Sequence, residues 1–478
     1  MQIKTEEFAE LAKREVAKSR AYPSLKNAPN MLYTKRMVGM KTLPDVAAYQ
    51  AYGAAIRAEA LNRLPELLEE FEKNAVANGA KVVWSRNAKE ADEYIVNLAK
   101  ERGAKFVIKG KSMVTEEIGL NDTLNDQGIV PWETDLGEFI AQQMQRPPFH
   151  IVAPAINLTC EEICEVFMKQ VDMKERTLDP VALGLAARLF LREKFHRASF
   201  GVAGVNVAVA ETGTTINLEN EGNIRFTKSS PRTLVLVMSI EKVVPTMKDA
   251  MHIVRLLSRN CTGQRLPAYV SMDSGPKRTG EIDGPDEMII VIVDNGRSKL
   301  YQDTRAREAL RCIRCAACLN TCPVYRQIGG YSYGWVYSGP MGQVLMPLLL
   351  GLDRTQHLYR ATTLCGACKS VCPAGIDHPK LFLYYRSMDV SGAPYFKGKK
   401  RPSGEGRFFK AWSMALTHAW LWNLGVRLAR NVINKFAADG VISKLPGGTF
   451  AGWFEKRDLP AIAKKTFRER WKETKGGN

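Results

Sequence analysis

No apolar run in this sequence is long enough to cross a membrane. The longest, TLVLVMSI and MIIVIV, have strand length, far below the ~20 residues of a spanning helix. The N-terminal stretch MQIKTEEFAELAKREVAKS has no apolar signal core. No G-x-G-x-x-G follows a strand, and no P-loop lysine pattern occurs, so neither a bound nicotinamide nor a bound flavin is expected. The basic charge comes without a recognisable nucleic-acid-binding module, so no nucleic acid partner is expected. A reducing cytoplasm is the expected setting, and there clustered cysteines serve metal or redox chemistry more often than disulfides.

Acidic residues are scarce at one end. The 478 residues carry a net charge of +18, and their number suggests about three domains. From Ser391 to Asn478 there are 18 Lys and Arg against 6 Asp and Glu, which places +12 of the total there. Trp412, Trp420, Trp422, Trp453 and Trp471, five of the eight tryptophans, lie in the same stretch. Such a tail suits an acidic partner or an anionic membrane surface.

The rest of the chain reads in three pieces. Residues 1–45 are an arm, a helix followed by loop, punctuated by Pro23, Pro29 and Pro44. Residues 46–296 alternate helical and strand patterns, beginning with a helix disturbed near Pro65. KVVWS, KFVIKG, HIVAPA, FGVAGVNVAVAET, TTINLEN, TLVLVMSI, AYVSM and EMIIVIVD are the expected strands, with a helix from Val244. The fold class is therefore α/β with a mainly parallel, helix-covered sheet. Residues 297–390 hold the cysteine runs, and residues 391–478 are the basic, Trp-rich region.

Seven of the ten cysteines fall into two runs. RCIRCAACLNTCP places Cys312, Cys315, Cys318 and Cys322 in a C-x₂-C-x₂-C-x₃-C-P pattern, and LCGACKSVCP repeats it with Cys365, Cys368 and Cys372. Thr362 stands where the echo lacks its first cysteine. The full pattern is the bacterial ferredoxin signature, in which three close thiolates wrap one cluster and the fourth reaches the other. On that logic, one cluster takes Cys312, Cys315, Cys318 and Cys372. The other takes Cys322, Cys365 and Cys368. It is either a [4Fe–4S] cluster with one non-cysteine ligand or a [3Fe–4S] cluster. Structural zinc fits two such runs badly. His378 is expected on the surface or capping a helix. Cys160, Cys164 and Cys261 are expected to be structural, the first two one helical turn apart.

The cysteine runs, with the insertion YSGPMGQVLMPLLLG, resemble the helical ferredoxin domain of succinate dehydrogenase and heterodisulfide reductase subunits. GKSMVTEEIGLN, ETDLGEFI and AETGTTINLENEGN resemble the lactate-utilisation domain, whose fold is similar to that of sugar-phosphate isomerases and CoA transferases. With LPGGTFAGWFEKRD, the whole order resembles the lactate utilisation protein B family. The resemblance implies electron transport in oxidation of L-lactate to pyruvate, and two [4Fe–4S] clusters with the split given above. It also implies two sister partners, one rich in cysteine–glycine motifs and one a shorter relative of the lactate-utilisation domain.

Other motifs are weaker. AETGTT is expected to be a turn with positive φ at Gly213, in preference to a ligand loop. Around KGKSMVTEE, Ser112 or Thr115 can cap a helix, and Lys109 and Lys111 can meet an anion beside Glu116 and Glu117. Glu133, Asp135 and Glu138 suit acid–base work or a solvated helix start equally. No catalytic residue is assigned. The stretch 407–436 is expected to be one helix, with Trp412, Leu416, Trp420 and Leu424 on a stripe and Arg407, Lys410, Arg427, Arg430 and Lys435 at its ends. Packing on the protein itself or on a partner subunit ranks ahead of a membrane surface, which would suit a quinone-linked acceptor at the inner face. Two functional classes stand: an electron carrier, and an organic-acid binding or catalytic α/β module with accessory clusters.

Overall fold

In the computed structural model, the apolar runs TLVLVMS and EMIIVIV lie side by side as interior strands of a six-stranded sheet. The structure describes residues 3–18, 21–171, 173–391, 403–446, 451–454 and 457–475. The chain divides into two units, Met1–Lys399 and Lys400–Asn478.

Among its described residues the first unit has ten strands. They are β1 (Lys81–Ser85), β2 (Phe106–Lys109), β3 (Val130–Glu133), β4 (Phe200–Gly204), β5 (Val207–Val209), β6 (Thr214–Glu219), β7 (Thr233–Ser239), β8 (Val243–Val244), β9 (Tyr269–Asp273) and β10 (Glu287–Val293). The large sheet runs β1-β10-β7-β4-β2-β3, with every pair parallel. A smaller mixed sheet runs β8-β5-β6-β9.

Side chains on β7 and β10 alternate between two cores, as the strand period requires. Val235, Val237, Ile289, Val291 and Val293 pack with Ile95, Val96 and Ala99 of the helix Ala88–Glu101. Leu234, Leu236, Met238, Ile290 and Ile292 face the other way. They share one apolar cluster with Leu310, Leu319, Tyr337, Val344 and Tyr385 from the cysteine region. The segments that differ in sequence character are thus built on a common core. Each fully buried Leu- or Ile-sized side chain contributes about 1.5–3 kcal/mol.

Several sequence expectations need correction. The arm is no loop: Ala21–Met40 is a 20-residue helix with Pro29 inside it. Pro23 falls in its first turn, where the N–H has no helical partner to lose. Tertiary contact outweighs the punctuation. Arg36, buried on this helix, donates to Asn260 Oδ1 at 2.8 Å and to the Val371 carbonyl at 3.2 Å. HIVAPA makes turns, because the His150 ring accepts from the N–H groups of Val152 and Ala153. FGVAGVNVAVAET splits into β4 and β5, in different sheets. The helix expected from Val244 starts at Met247, after Thr246 as N-cap. β3 was not expected. It contains Pro131, which an edge strand tolerates because its N–H side needs no partner.

Other expectations match. Helices Val46–Asn62 and Leu64–Ala77 break beside Pro65. Gly213 has φ +64°, and a Cβ there would lie 2.3 Å from Ala75 N. The hydroxyls of AETGTT bond within the fold: Thr214 to Ser274, and Thr215 to the Asp273 carbonyl.

In the second unit, the stretch expected as one helix is two, Ser403–Thr417 and Ala419–Ile433, parted at His418. No helix among the described residues is long and apolar enough to cross a membrane.

Candidate metal centre

The two cysteine runs fold as copies of one motif. In the first, Ala316 precedes the short helix Ala317–Thr321, and Cys322 ends it in extended conformation. In the second, Gly366 precedes Ala367–Val371, and Cys372 ends it likewise. Proline follows each. The chain between the thiols bends through left-handed residues, at Arg314 (φ 63°) and Ala316 (φ 60°) in one run and at Gly366 (φ 80°) in the other, where Leu364 (φ 54°) also bends it just before Cys365. For residues other than glycine this costs roughly 1–3 kcal/mol each, and such strain concentrates at functional sites. The bends bring thiols three residues apart onto one side.

The thiols sort into two groups. Cys318 lies within electrostatic reach of Cys312, Cys315 and Cys372, and Cys372 of Cys312. Cys322 interacts with Cys365, and Cys368 with both. Cys318 and Cys368 also feel each other, so the groups adjoin. Thr362 lines a cleft with Cys322, Cys365 and Cys368. Its hydroxyl accepts from Leu364 N at 3.0 Å. All ten cysteines are free thiols.

Each group has backbone support. Arg314 N–H donates to Cys312 Sγ (3.4 Å), Ile376 N–H to Cys372 Sγ (3.4 Å) and Tyr325 N–H to Cys322 Sγ (3.5 Å). Burial pushes the Cys315 and Cys318 thiols well up, Cys368 to about 12 and Cys372 to about 11. Cys365 is exposed, and the Thr363 side chain and Ala367 N–H pull its thiol down.

Buried charge surrounds the first group. Glu241, just beyond β7, meets Arg314 at 3.0 Å and Arg297 at 2.9 Å. Burial alone would raise the Glu241 carboxyl, but the two arginines hold it at about 2. Arg57 donates to the carbonyls of Glu241, Val243, Leu310 and Arg311. Lys242 is buried, and burial brings its amine down to about 7.

Three protein families match the chain: the LUD domain over residues 68–293, a 4Fe-4S dicluster domain over residues 308–376, and lactate utilisation protein B, C-terminal, over residues 387–476. A lactate utilization protein B of Geobacillus sp. (strain WCH70) is 40% identical over 452 residues, 94% of this chain and 94% of its own. Another, of Bacillus subtilis (strain 168), is 38% identical over 470 residues, 98% of this chain and 96% of its own. The chain belongs to the lactate utilization protein B family. A solved duf162 family protein from Deinococcus radiodurans matches over 48% of the chain and 98% of its own, at 16% identity and a TM-score of 0.27.

The residues of this family member suit iron–sulfur chemistry. Seven thiols, soft ligands, stand in two groups, and burial makes bare thiolates costly unless a cationic metal compensates. Among the described residues no three Cys, His, Asp or Glu side chains are arranged to hold a single metal ion.

The remaining expected residues fall elsewhere. His378 is buried and not on the surface, at the first residue of the helix His378–Ser391, and burial pulls its imidazole to about 4. Cys164 is buried and Cys160 half-buried on the helix Cys160–Gln170, in a separate core. Cys261 is half-buried and interacts with Cys315, nearer the centre than expected. Ser112 is the N-cap of Met113–Ile118, and Asp135 caps Leu136–Gln143. Lys109 is fully buried and donates to Glu116 (2.8 Å) and Glu133 (2.6 Å), so it is not waiting for an anion. Glu133 and Glu138 are buried, not part of a solvated helix start.

Sequence reasoning missed Arg57, Glu241, Lys242, Arg297 and Arg314. The one usable signal was Glu241 and Lys242 standing directly after an apolar strand, where a charge must find a partner.

Proposed function

We propose that the protein carries electrons in the oxidation of L-lactate to pyruvate, as the iron–sulfur member of a multi-protein L-lactate dehydrogenase assembly. The sorting of seven thiols into two adjoining groups, in a chain whose relatives are named for lactate utilisation, carries the reading. Cys312, Cys315, Cys318 and Cys372 would hold a [4Fe–4S] cluster. Cys322, Cys365 and Cys368 would hold a second, either [4Fe–4S] with a non-cysteine ligand or [3Fe–4S] at Thr362. When bound, such clusters take up and release single electrons at potentials set by their surroundings.

The chain's own residues supply those surroundings. Arg57, Lys242 and Arg314 favour negative charge at the first group, and the N–H groups of Arg314 and Ile376 point at its sulfurs. Both effects favour the reduced form. The second group has exposed Cys365 and Leu364 at its edge, a place for a partner to approach. The partners in this reading are the two sister lactate-utilisation proteins, with a quinone-linked or membrane-surface acceptor as the outlet. On the helix Ala419–Ile433 no residue is buried, and Trp420, Trp422 and Leu424 are exposed, which supports docking to a partner subunit.

The test is lactate oxidation with an artificial acceptor under anaerobic conditions. The purified protein alone should not turn lactate over, whereas the assembled set of three proteins should. Turnover by the single chain would replace the carrier reading with a catalytic one.

A further inference from the structure

A cavity of about 660 Å³ opens at the carboxyl end of β3, the end of parallel strands at which α/β sheets bind ligands. Its volume is within the range of small-molecule sites.

Glu133 and Glu138 line it and are only 2% and 4% exposed. Glu133 Oε1 accepts from Lys109 and Asn121, but Glu133 Oε2 has no partner. Asn121 spends its amide N–H on Glu133, leaving its Oδ1 open. Glu138 Oε1 has no hydrogen bond, with Lys111 Nζ 3.8 Å away and itself unbonded. Buried polar atoms are nearly always paired, and each left alone costs about 1–3 kcal/mol. Several at one cavity wall ask for a ligand.

The chemistry narrows the class. Lys109 is already shared between Glu116 and Glu133. The open Glu133 Oε2, Asn121 Oδ1 and Glu138 Oε1 are acceptors, which call for O–H or N–H groups from the occupant, and beside them Lys111 Nζ is an open donor. Burial pushes the Glu138 carboxyl well up, against the pull of Lys111. At the rim stand exposed Lys4 and Arg146.

We propose that this cavity binds a small organic anion bearing hydroxyl groups, with the hydroxyls on Glu133, Asn121 and Glu138 and the anionic group toward Lys4 and Arg146. The site is independent of the electron-carrier reading.

Isothermal titration calorimetry on the full-length, cluster-loaded protein tests it. The probes are L-lactate, gluconate and ribose 5-phosphate, with inorganic phosphate and glycerol as controls. At least one hydroxylated anion should bind with millimolar or tighter affinity, and tighter than either control by tenfold or more. Gluconate and ribose 5-phosphate tell a carboxylate from a phosphate as the anionic group. Glu138→Met should weaken binding at least tenfold and Arg146→Ala at least threefold, both at unchanged iron content. Arg146 is on the surface, so that variant decides the matter if Glu138→Met folds poorly. Absence of binding by all three anions, equal binding of inorganic phosphate, or native affinity in Arg146→Ala would overturn the proposal. Iron content and electron transfer are separate readouts, so its failure would leave the carrier reading untouched.

Discussion

Arg297 donates to both carboxylate oxygens of Glu117, at 2.7 and 2.6 Å, and neither side chain is exposed. The same guanidinium lies 2.9 Å from Glu241, which meets Arg314, and the Arg314 backbone N–H reaches Cys312 Sγ. Tyr337, from the segment between the cysteine runs, adds its hydroxyl to Glu117 at 2.5 Å. A chain of buried charge thus runs from the α/β sheet to the first cysteine group. Arg297→Met should leave Glu117 buried without its cation, held only by Tyr337 and Asn295, and destabilise the protein by about 3–5 kcal/mol. Denaturant unfolding of the variant against the parent measures it. A change below about 1 kcal/mol would show that the pair does not tie the two regions together.

Asp92 gives a pH-dependent prediction away from the cysteines. Burial raises its carboxyl from 3.8 to about 7, against a hydrogen bond from Thr123. The folded state therefore holds a proton that the unfolded state releases. Its stabilising contribution is full below pH 3.8 and is lost as pH rises through about 7. Asp92→Asn should raise stability at pH 8 by roughly 1–3 kcal/mol and do little at pH 4. Thermal unfolding at the two pH values reads the difference. Equal effects at both would mean that Asp92 is charged in the fold.

Gly213 has no room for a side chain. Gly213→Ala meets both a left-handed backbone and the Ala75 N atom at 2.3 Å. It should lower stability by about 1–3 kcal/mol or more. An unchanged melting temperature would show that the turn relaxes freely.

All seven cysteines of the two runs lie in the first unit, Met1–Lys399. Truncation after residue 404 should leave iron content unchanged and abolish association with the sister proteins. Iron analysis and co-purification measure the two effects. Loss of iron on truncation would make the basic region part of the cluster-holding core.

Much of this was legible in the chain itself. Strands β1, β2, β7 and β10 announced themselves through short apolar runs between turn residues, and the Gly213 turn through its glycine. Within each run the cysteine spacing foretells neighbouring thiols, because residues three apart are placed by local backbone; that Cys372 meets Cys312, and Cys322 meets Cys365, takes the packing of one run on the other. The arm helix was hidden, since what holds Ala21–Met40 is contact with Asn260 and Val371, hundreds of residues away. β3 was hidden because Pro131 argues against a strand unless the strand is known to lie at an edge. Buried ion pairs such as Arg297 with Glu117 join residues 180 positions apart, and no local pattern distinguishes them from surface charge. That Glu133 and Glu138 are buried follows from the same long-range packing.

The ligand split has its own test. Cys372→Ser should lose the cluster of the first group and keep the other, and Cys368→Ser the reverse. Each should retain about half the iron. Loss of the same half in both would contradict the sorting.

The central claim is that one chain holds two clusters on seven cysteines. Iron and sulfide counting with EPR, on anaerobically purified protein before and after dithionite, tests it most directly. The account predicts about seven to eight irons per chain. About eight, with signals only after reduction, means two [4Fe–4S] clusters and a non-cysteine ligand. About seven, with an oxidised-state signal near g = ~2, means a [3Fe–4S] centre at Thr362. About four irons and a single reducible centre would contradict the account.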